Sequence, residues 1–390
     1  MATATLEGAF NVSSPRKDLF DGIQVVGKAV ATRSSLPILT HVRLAVNSGR
    51  VSLMATDLEL WMEHTLPGQV IAEDGAATAP AKNFTELLGA MPDAEVTFSA
   101  EEDTNAISLR CNRANYKLLG LPADEFPLLP DVPGETQFTI ERSILRDAIR
   151  QTLFATSSDE TRIILTGMLL VFQGDTLRFV ATDTHRLTMK DAIVKEAGEG
   201  AQPSASAIVP SRVMNEVLRI LGNSDGDVSI VLGGNQIKFE MEHDRGGHTT
   251  LISRLIDGQF PNYERVIPKE PTRTLTIRRD DLSAAVKRAA IVARENNNRI
   301  VLRSSDDAEK VTITAESGSV GNAYEEVEVA REGVDSPVEI AFNAKYLTDV
   351  LNVLECEGIN LELTEALRPG VIKMSGNASY LCVLMPMQVV

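Results

Sequence analysis

The sequence predicts an α+β fold of three structurally equivalent domains, each with two helices packed on antiparallel sheet. Three observations carry this. Landmarks recur in the same order at a period of about 130 residues, the helix-like stretches place apolar residues four apart, and alternating strand-like runs precede two of them. At 390 residues the chain exceeds what one core serves and suits roughly two to three domains of about 150 residues. Its 43% hydrophobic and 24% charged content is that of an ordinary globular protein.

The elements repeat in order. First comes a helix: "RKDLFDGIQVVGKAVATR" from Arg16, "ERSILRDAIRQTLFATS" from Glu141 and "RRDDLSAAVKRAAIVAR" from Arg278. Leu19/Ile23, Leu145/Ile149 and Leu282/Val286 mark the buried face of each, and "TQFTI" and "RTLTIR" read as strands leading into the last two. A turn and strand follow, "NSGRVSLMATD" ending at Asp57, "QGDTLRFVATD" ending at Asp183 and "DDAEKVTITAE" ending at Glu316. A second helix then begins at Ala81, Ser211 and Ala344. Here Lys82, Arg212 and Lys345 align, and with them Glu86, Glu216 and Asp349. The Pro-rich "DEFPLLP" and "DGQFPNYERVIP" close the first two repeats as linkers. These landmarks give domains 1–133, 134–270 and 271–390.

Composition excludes several classes. No apolar run approaches the ~18 residues that span a bilayer, and "MATATLEGAFNVSS" lacks the basic and apolar regions of a signal peptide, so a cytoplasmic protein without membrane contact is expected. Cys111, Cys356 and Cys382 show no C-x-x-C spacing and read as small buried hydrophobes. No phosphate-cradling or nucleophile-elbow motif occurs, and no cofactor is expected. One enzyme alternative remains, a cytosolic α+β metallohydrolase with internal repeats using His243, Asp244 and His248, or Asp183 with His185. "HDRGGH" has the glycine content of a turn and no zinc spacing, which favours a solvated loop and no metal.

Charge is unevenly spread. The three first-helix stretches hold 12 Lys/Arg and 6 Asp/Glu, a net +6, which leaves −22 for the rest of a chain of net −16. Any single helix reads as a solvated face. Repeated on three equivalent helices, the pattern reads as a phosphate-facing surface without sequence preference, because no aromatic or bidentate reader set is interleaved. Two helices per repeat, three repeats and two chains would make a loop of twelve helices; at about 10 Å each, the bore is roughly 28 Å, wide enough for duplex DNA.

At "SLPIL" (Ser35–Leu39), "ATD" (Ala55–Asp57), "LPADEFP" (Leu121–Pro127), "ATDTHRL" (Ala181–Leu187), "IVP" (Ile208–Pro210), "DGQFPNYERVIP" (Asp257–Pro268), "KRAAI" (Lys287–Ile291) and "MPM" (Met385–Met387), the sequence resembles the bacterial DNA polymerase III β sliding clamps over essentially its full length. The resemblance implies a non-catalytic, head-to-tail homodimeric ring of pseudo-sixfold form. It would encircle duplex DNA, tether the replicative polymerase, depend on an ATP-driven loader, and bind repair and translesion factors through linear peptides. It implies a peptide pocket from Leu165, Thr182, His185, Arg186, Leu187, Pro261, Arg265 and Val266 beside Val383, Leu384, Met385, Pro386 and Met387. It also implies phosphate contacts at Arg33, Lys82, Arg162 and Arg212, and a subunit joint of Tyr116 and Leu118 against Ile291 and Val292.

The resemblance gives a use to "YLCVLMPMQVV", which carries no charge from Leu381 onward. Such a segment left in the open is an aggregation hazard; as pocket lining, its methionines offer an adaptable apolar surface. Thr184 stands where the family usually has Gly, and Gln-Val-Val follows Met387 in place of a basic residue and Leu.

Overall fold

The structure is a computed structural model that describes residues 10–100, 104–134, 136–197, 204–244, 246–304, 309–334 and 337–389. Among the described residues six α-helices lie where the repeats put them: α1 Arg16–Val26, α2 Ala81–Ala90, α3 Arg142–Leu153, α4 Ser211–Leu221, α5 Arg279–Ala293 and α6 Ala344–Val353. Each begins directly after a strand. The second helices start where the sequence punctuates them, after Pro80, after Pro210, and at Asn343, whose side chain accepts from the Lys345 N–H at 2.9 Å. α2 stops at Ala90 because Met91, which precedes Pro92, is held extended. The apolar pairs read from the sequence, Leu19/Ile23, Leu145/Ile149 and Leu282/Val286, are all at most 1% exposed.

Every strand pairing in the described sheets is antiparallel. The chain divides into two compact units, one of residues 1–143, 194–202 and 215–255, the other of 144–193, 203–214 and 256–390. The first unit has a four-stranded sheet ordered Phe10–Pro15, Glu95–Ala100, Ala106–Cys111, Ala114–Leu119. Its second sheet has nine strands, and in it Leu60–Thr65 of the first repeat pairs with His248–Arg254 of the second.

The second unit has one sheet of twelve strands, in which Arg186–Ile193 of the second repeat pairs with Asn377–Leu384 of the third. Compactness therefore divides the chain differently from the repeat, because a hydrogen-bonded ladder joins neighbouring repeats within each unit. In the second unit α5 and α6 lay Leu282, Val286, Leu347 and Leu351 on Leu275, Ile277, Leu361 and Cys382. Each such side chain, once buried, contributes roughly 1.5–3 kcal/mol.

Cys111 and Cys382 are buried as expected, whereas Cys356 is half-buried. All three are free thiols. No helix among the described residues is long and apolar enough to cross a membrane.

Candidate functional site: an apolar cleft beside strand Asn377–Leu384

Strand alternation builds the site's floor. Arg186–Ile193 and Asn377–Leu384 pair with Leu187 opposite Val383 and Arg186 opposite Leu384. Leu187 and Val383 pack with Leu169, Val180, Ile208 and Val371. Leu384, one residue on, points to the opposite face and joins the core under α5 and α6, 1% exposed. Side-chain period two separates these neighbours.

A tight turn forms one wall. The Thr182 hydroxyl accepts from the Thr184 N–H at 3.2 Å, and Asp183 Oδ1 accepts from the N–H groups of His185 and Arg186 at 2.9 and 3.0 Å. Thr184 takes φ 77°, the left-handed region a β-branched residue seldom occupies. Opposite stands the loop after Gly258, whose φ of 135° favours glycine. This loop carries Pro261, Asn262, Tyr263 and Val266 to the cleft. Met385 completes it, its N–H donating to the His185 carbonyl at 2.9 Å. The cleft encloses about 260 Å³.

Arg186 fixes the wall from behind. It is 8% exposed, with Nε 3.0 Å from Asp183 Oδ2, Nη1 2.6 Å from Asp349 Oδ2 and Nη2 2.7 Å from the Phe154 carbonyl. Its guanidinium lies 4.6 Å from the Tyr346 ring centroid and 5.1 Å from that of Phe154. Burial, with Asp183 nearby, raises the Tyr346 hydroxyl pKa. The His185 ring stacks on Tyr346 with centroids 6.1 Å apart. A buried cation so fully partnered is rigid, and an apolar cleft with a rigid polar back suits a short peptide with apolar anchors.

Of the residues expected here, Leu165, Thr182, Arg186, Leu187, Pro261, Val266, Val383 and Met385 line this cleft. Arg265 and Pro386 line an adjoining, wider groove of about 680 Å³ that shares Val266 and Met385. Three of the expected residues stand outside this lining. Leu384 is core for the reason given above. His185 reaches the site through its carbonyl and its stack on Tyr346. Met387 bridges to Ala341, its N–H donating at 2.8 Å. Sequence reasoning missed Asn262 and Tyr263, which sit within the quoted linker, and noted Thr184 only as a departure. Asp349 and Tyr346 were also missed as supports, although Asp349 aligns with Glu86 and Glu216 in the second helices.

Three family models match in order: the DNA polymerase III beta subunit N-terminal domain over residues 10–130, its central domain over 139–262 and its C-terminal domain over 264–388. The chain belongs to the DNA polymerase III beta subunit family. A beta sliding clamp of Synechococcus elongatus is 35% identical over 384 residues, covering 96% of this chain and 98% of that one, and the Escherichia coli clamp is 34% identical over 374 residues, with the same shares. The crystal structure of a Pseudomonas aeruginosa clamp bound to griselimycin superposes with TM-score 0.89 at 33% identity, over 98% of this chain and all of that one. A Bacillus subtilis clamp superposes with TM-score 0.89 at 29% identity, over 98% and 99%. The function is that of a sliding clamp, a processivity subunit without catalysis of its own.

The metallohydrolase alternative has no support in a beta clamp. Its residues are also otherwise engaged: His243 Nε2 lies 2.7 Å from Thr249 Oγ1, His248 Nε2 lies 3.2 Å from Thr250 Oγ1, and Asp183 serves the turn and Arg186. Among the described residues no three His, Cys, Asp or Glu side chains are grouped as metal ligands.

The basic first helices are less free than their net charge suggests. Arg142 is 1% exposed, and Nη2 donates to the Glu242 carbonyl. Burial lowers its pKa, with Asp244 and Asp227 opposing. Arg150 pairs with Glu355 at 2.5 Å and Arg288 with Glu325 at 2.6 Å. Arg33, Lys82 and Arg212 are exposed. Arg162 is exposed too, but lies in a 3-10 stretch where Asp159 pairs with it at 2.9 Å and Nη1 donates to Thr184 Oγ1 at 3.2 Å.

Proposed function

We propose that two copies of this chain close head to tail into a pseudo-sixfold ring around duplex DNA, gripping it without reading sequence. In this reading the cleft seats short peptides of the replicative polymerase, an ATP-driven clamp loader, and repair and translesion factors. The observation that carries the docking half is the rigid-backed apolar cleft itself. Its scale and lining suit a peptide-like ligand such as griselimycin, which the Pseudomonas aeruginosa and Bartonella birtlesii clamps bind. The domains are taken as 1–133, 134–270 and 271–390, in step with the repeat, and the protein as cytoplasmic.

The subunit joint of this proposal is supported by exposed apolar groups on a free edge. Ala114–Leu119 ends its four-stranded sheet, and on it Tyr116 is 38% exposed and Leu118 half-buried, with Leu119 beside them 74% exposed. Ile291 on α5 is 63% exposed, with half-buried Val292 beside it. A sheet edge unpaired among the described residues and an apolar knob of a different element make a heterologous contact, which closes into a ring if the rotation allows. For DNA, the exposed Arg33, Lys82 and Arg212 supply loose, salt-screened phosphate contacts of the kind that permits sliding; Arg162 joins them only if its Asp159 pair yields.

The deciding experiment loads the protein on nicked circular DNA with a clamp loader at moderate salt and then linearises the circle. A ring linked topologically runs off the cut molecule. Retention on linear DNA with free ends would overturn encirclement.

A further inference from the structure

The open cleft of the second unit has a filled counterpart in the first. Residues 56–60 repeat the three N–H bonds that hold the turn of residues 182–186. Thr56 Oγ1 accepts from the Leu58 N–H at 2.9 Å, and Asp57 Oδ1 accepts from the N–H groups of Glu59 and Leu60 at 3.1 and 2.8 Å. Leu58 has φ 73°, against 77° for Thr184. The strand that follows pairs in the same register, with Trp61 opposite Ile252 as Leu187 is opposite Val383. The linkers agree as well: Val132 comes six residues after Phe126, as Val266 does after Phe260.

The two seats differ in what occupies them. In the first unit Trp61, 6% exposed, packs with Val132, Ile252 and Val231, and Leu58 and Leu129 close over them. In the second unit the equivalent positions hold Leu187 and Thr184, and an open cleft lies over them. The seal is chemically imperfect, since the buried Trp61 indole N–H has no hydrogen-bond partner among the described residues, an arrangement a buried Trp normally avoids. The indole thus fills apolar space that gives its N–H nothing.

We propose that positions 184 and 187 keep the docking seat open by being small, and that Leu58 and Trp61 occupy a latent second seat of the same shape in the first unit. The assignment of 184 and 187 as specificity-determining rests on the reading of the open cleft as the docking site. The latent seat does not.

Griselimycin, titrated calorimetrically onto the full-length protein, tests the first half. T184L/L187W, shown folded by its melting curve, should lose on the order of 100-fold in affinity, and T184L alone about 10-fold, the range that pocket groups of this size command. Wild-type affinity in folded T184L overturns the assignment even if the double variant does not fold. Failure of griselimycin to bind wild type sinks the docking reading, and the assignment with it. Xenon tests the second half without any peptide ligand, because dry apolar cavities take it up. Pressurised crystals of L58T/W61L should show a xenon site beside Ile252 and Val132 that wild type lacks, and an unoccupied seat there would overturn the latent site.

Discussion

Arg186 is where residue-scale chemistry shapes the site. A guanidinium 8% exposed is tolerable only when its donors are met, and removing one partner of a buried charge leaves the other uncompensated. Asp349→Ala is therefore expected to cost about 1–3 kcal/mol, seen as a lower urea midpoint, and to weaken griselimycin binding with it; an unchanged midpoint would remove Asp349 as an anchor. The thiols offer a second check. Burial pushes Cys382 up to about 12 and also raises Cys356, although the latter is half-buried. Alkylation at pH 8 should modify Cys356 slowly in the native protein and leave Cys111 and Cys382 intact, as mass spectrometry would show. Much of this was legible in "ATDTHRL", which supplies the turn, the arginine and Leu187. Phe154, Tyr346 and Asp349 were not, because nothing in local pattern says that α6, 163 residues away, meets Arg186.

At the scale of elements, the ladder between Leu60–Thr65 and His248–Arg254 carries an acid-sensitive cluster. The Thr249 hydroxyl stands between two imidazoles, 2.9 Å from His64 Nδ1 and 2.7 Å from His243 Nε2, and the rings are 5.4 Å apart. Burial, then the neighbouring His243 and His248, lowers the His64 pKa to about 4, and burial and Arg142 lower that of His243. The unfolded chain binds protons first as pH falls, so stability is full above the ordinary histidine pKa of 6.5 and is lost between there and about 4. For His64 the loss is up to about 3 kcal/mol. Urea midpoints of the wild type should drop over that window and those of His64→Gln should drop less; parallel profiles would clear His64. Element starts were well marked in the sequence by Pro80, Pro210 and the apolar four-residue spacing. The pairing of strands from different repeats was not, since period two fixes which face a residue takes and leaves the choice of neighbour open.

At the scale of the whole molecule, the proposed ring makes the joint its weakest place. Ile291→Asp places a charge on an exposed apolar knob and should convert the dimer to monomer in light scattering while leaving griselimycin affinity unchanged. A variant still dimeric at micromolar concentration would move the joint elsewhere. The repeat and the family motifs carry the three-domain architecture in the sequence itself, whereas the continuity of sheets across repeats is visible only in the structure. That continuity bears on biogenesis. Arg186–Ile193 borders Asn377–Leu384 in the middle of a twelve-stranded sheet, and a ribosome releases the first nearly two hundred residues before the second. Until then the nascent chain holds out a bare apolar ledge, a natural perch for chaperones and a place where stalled translation would turn sticky.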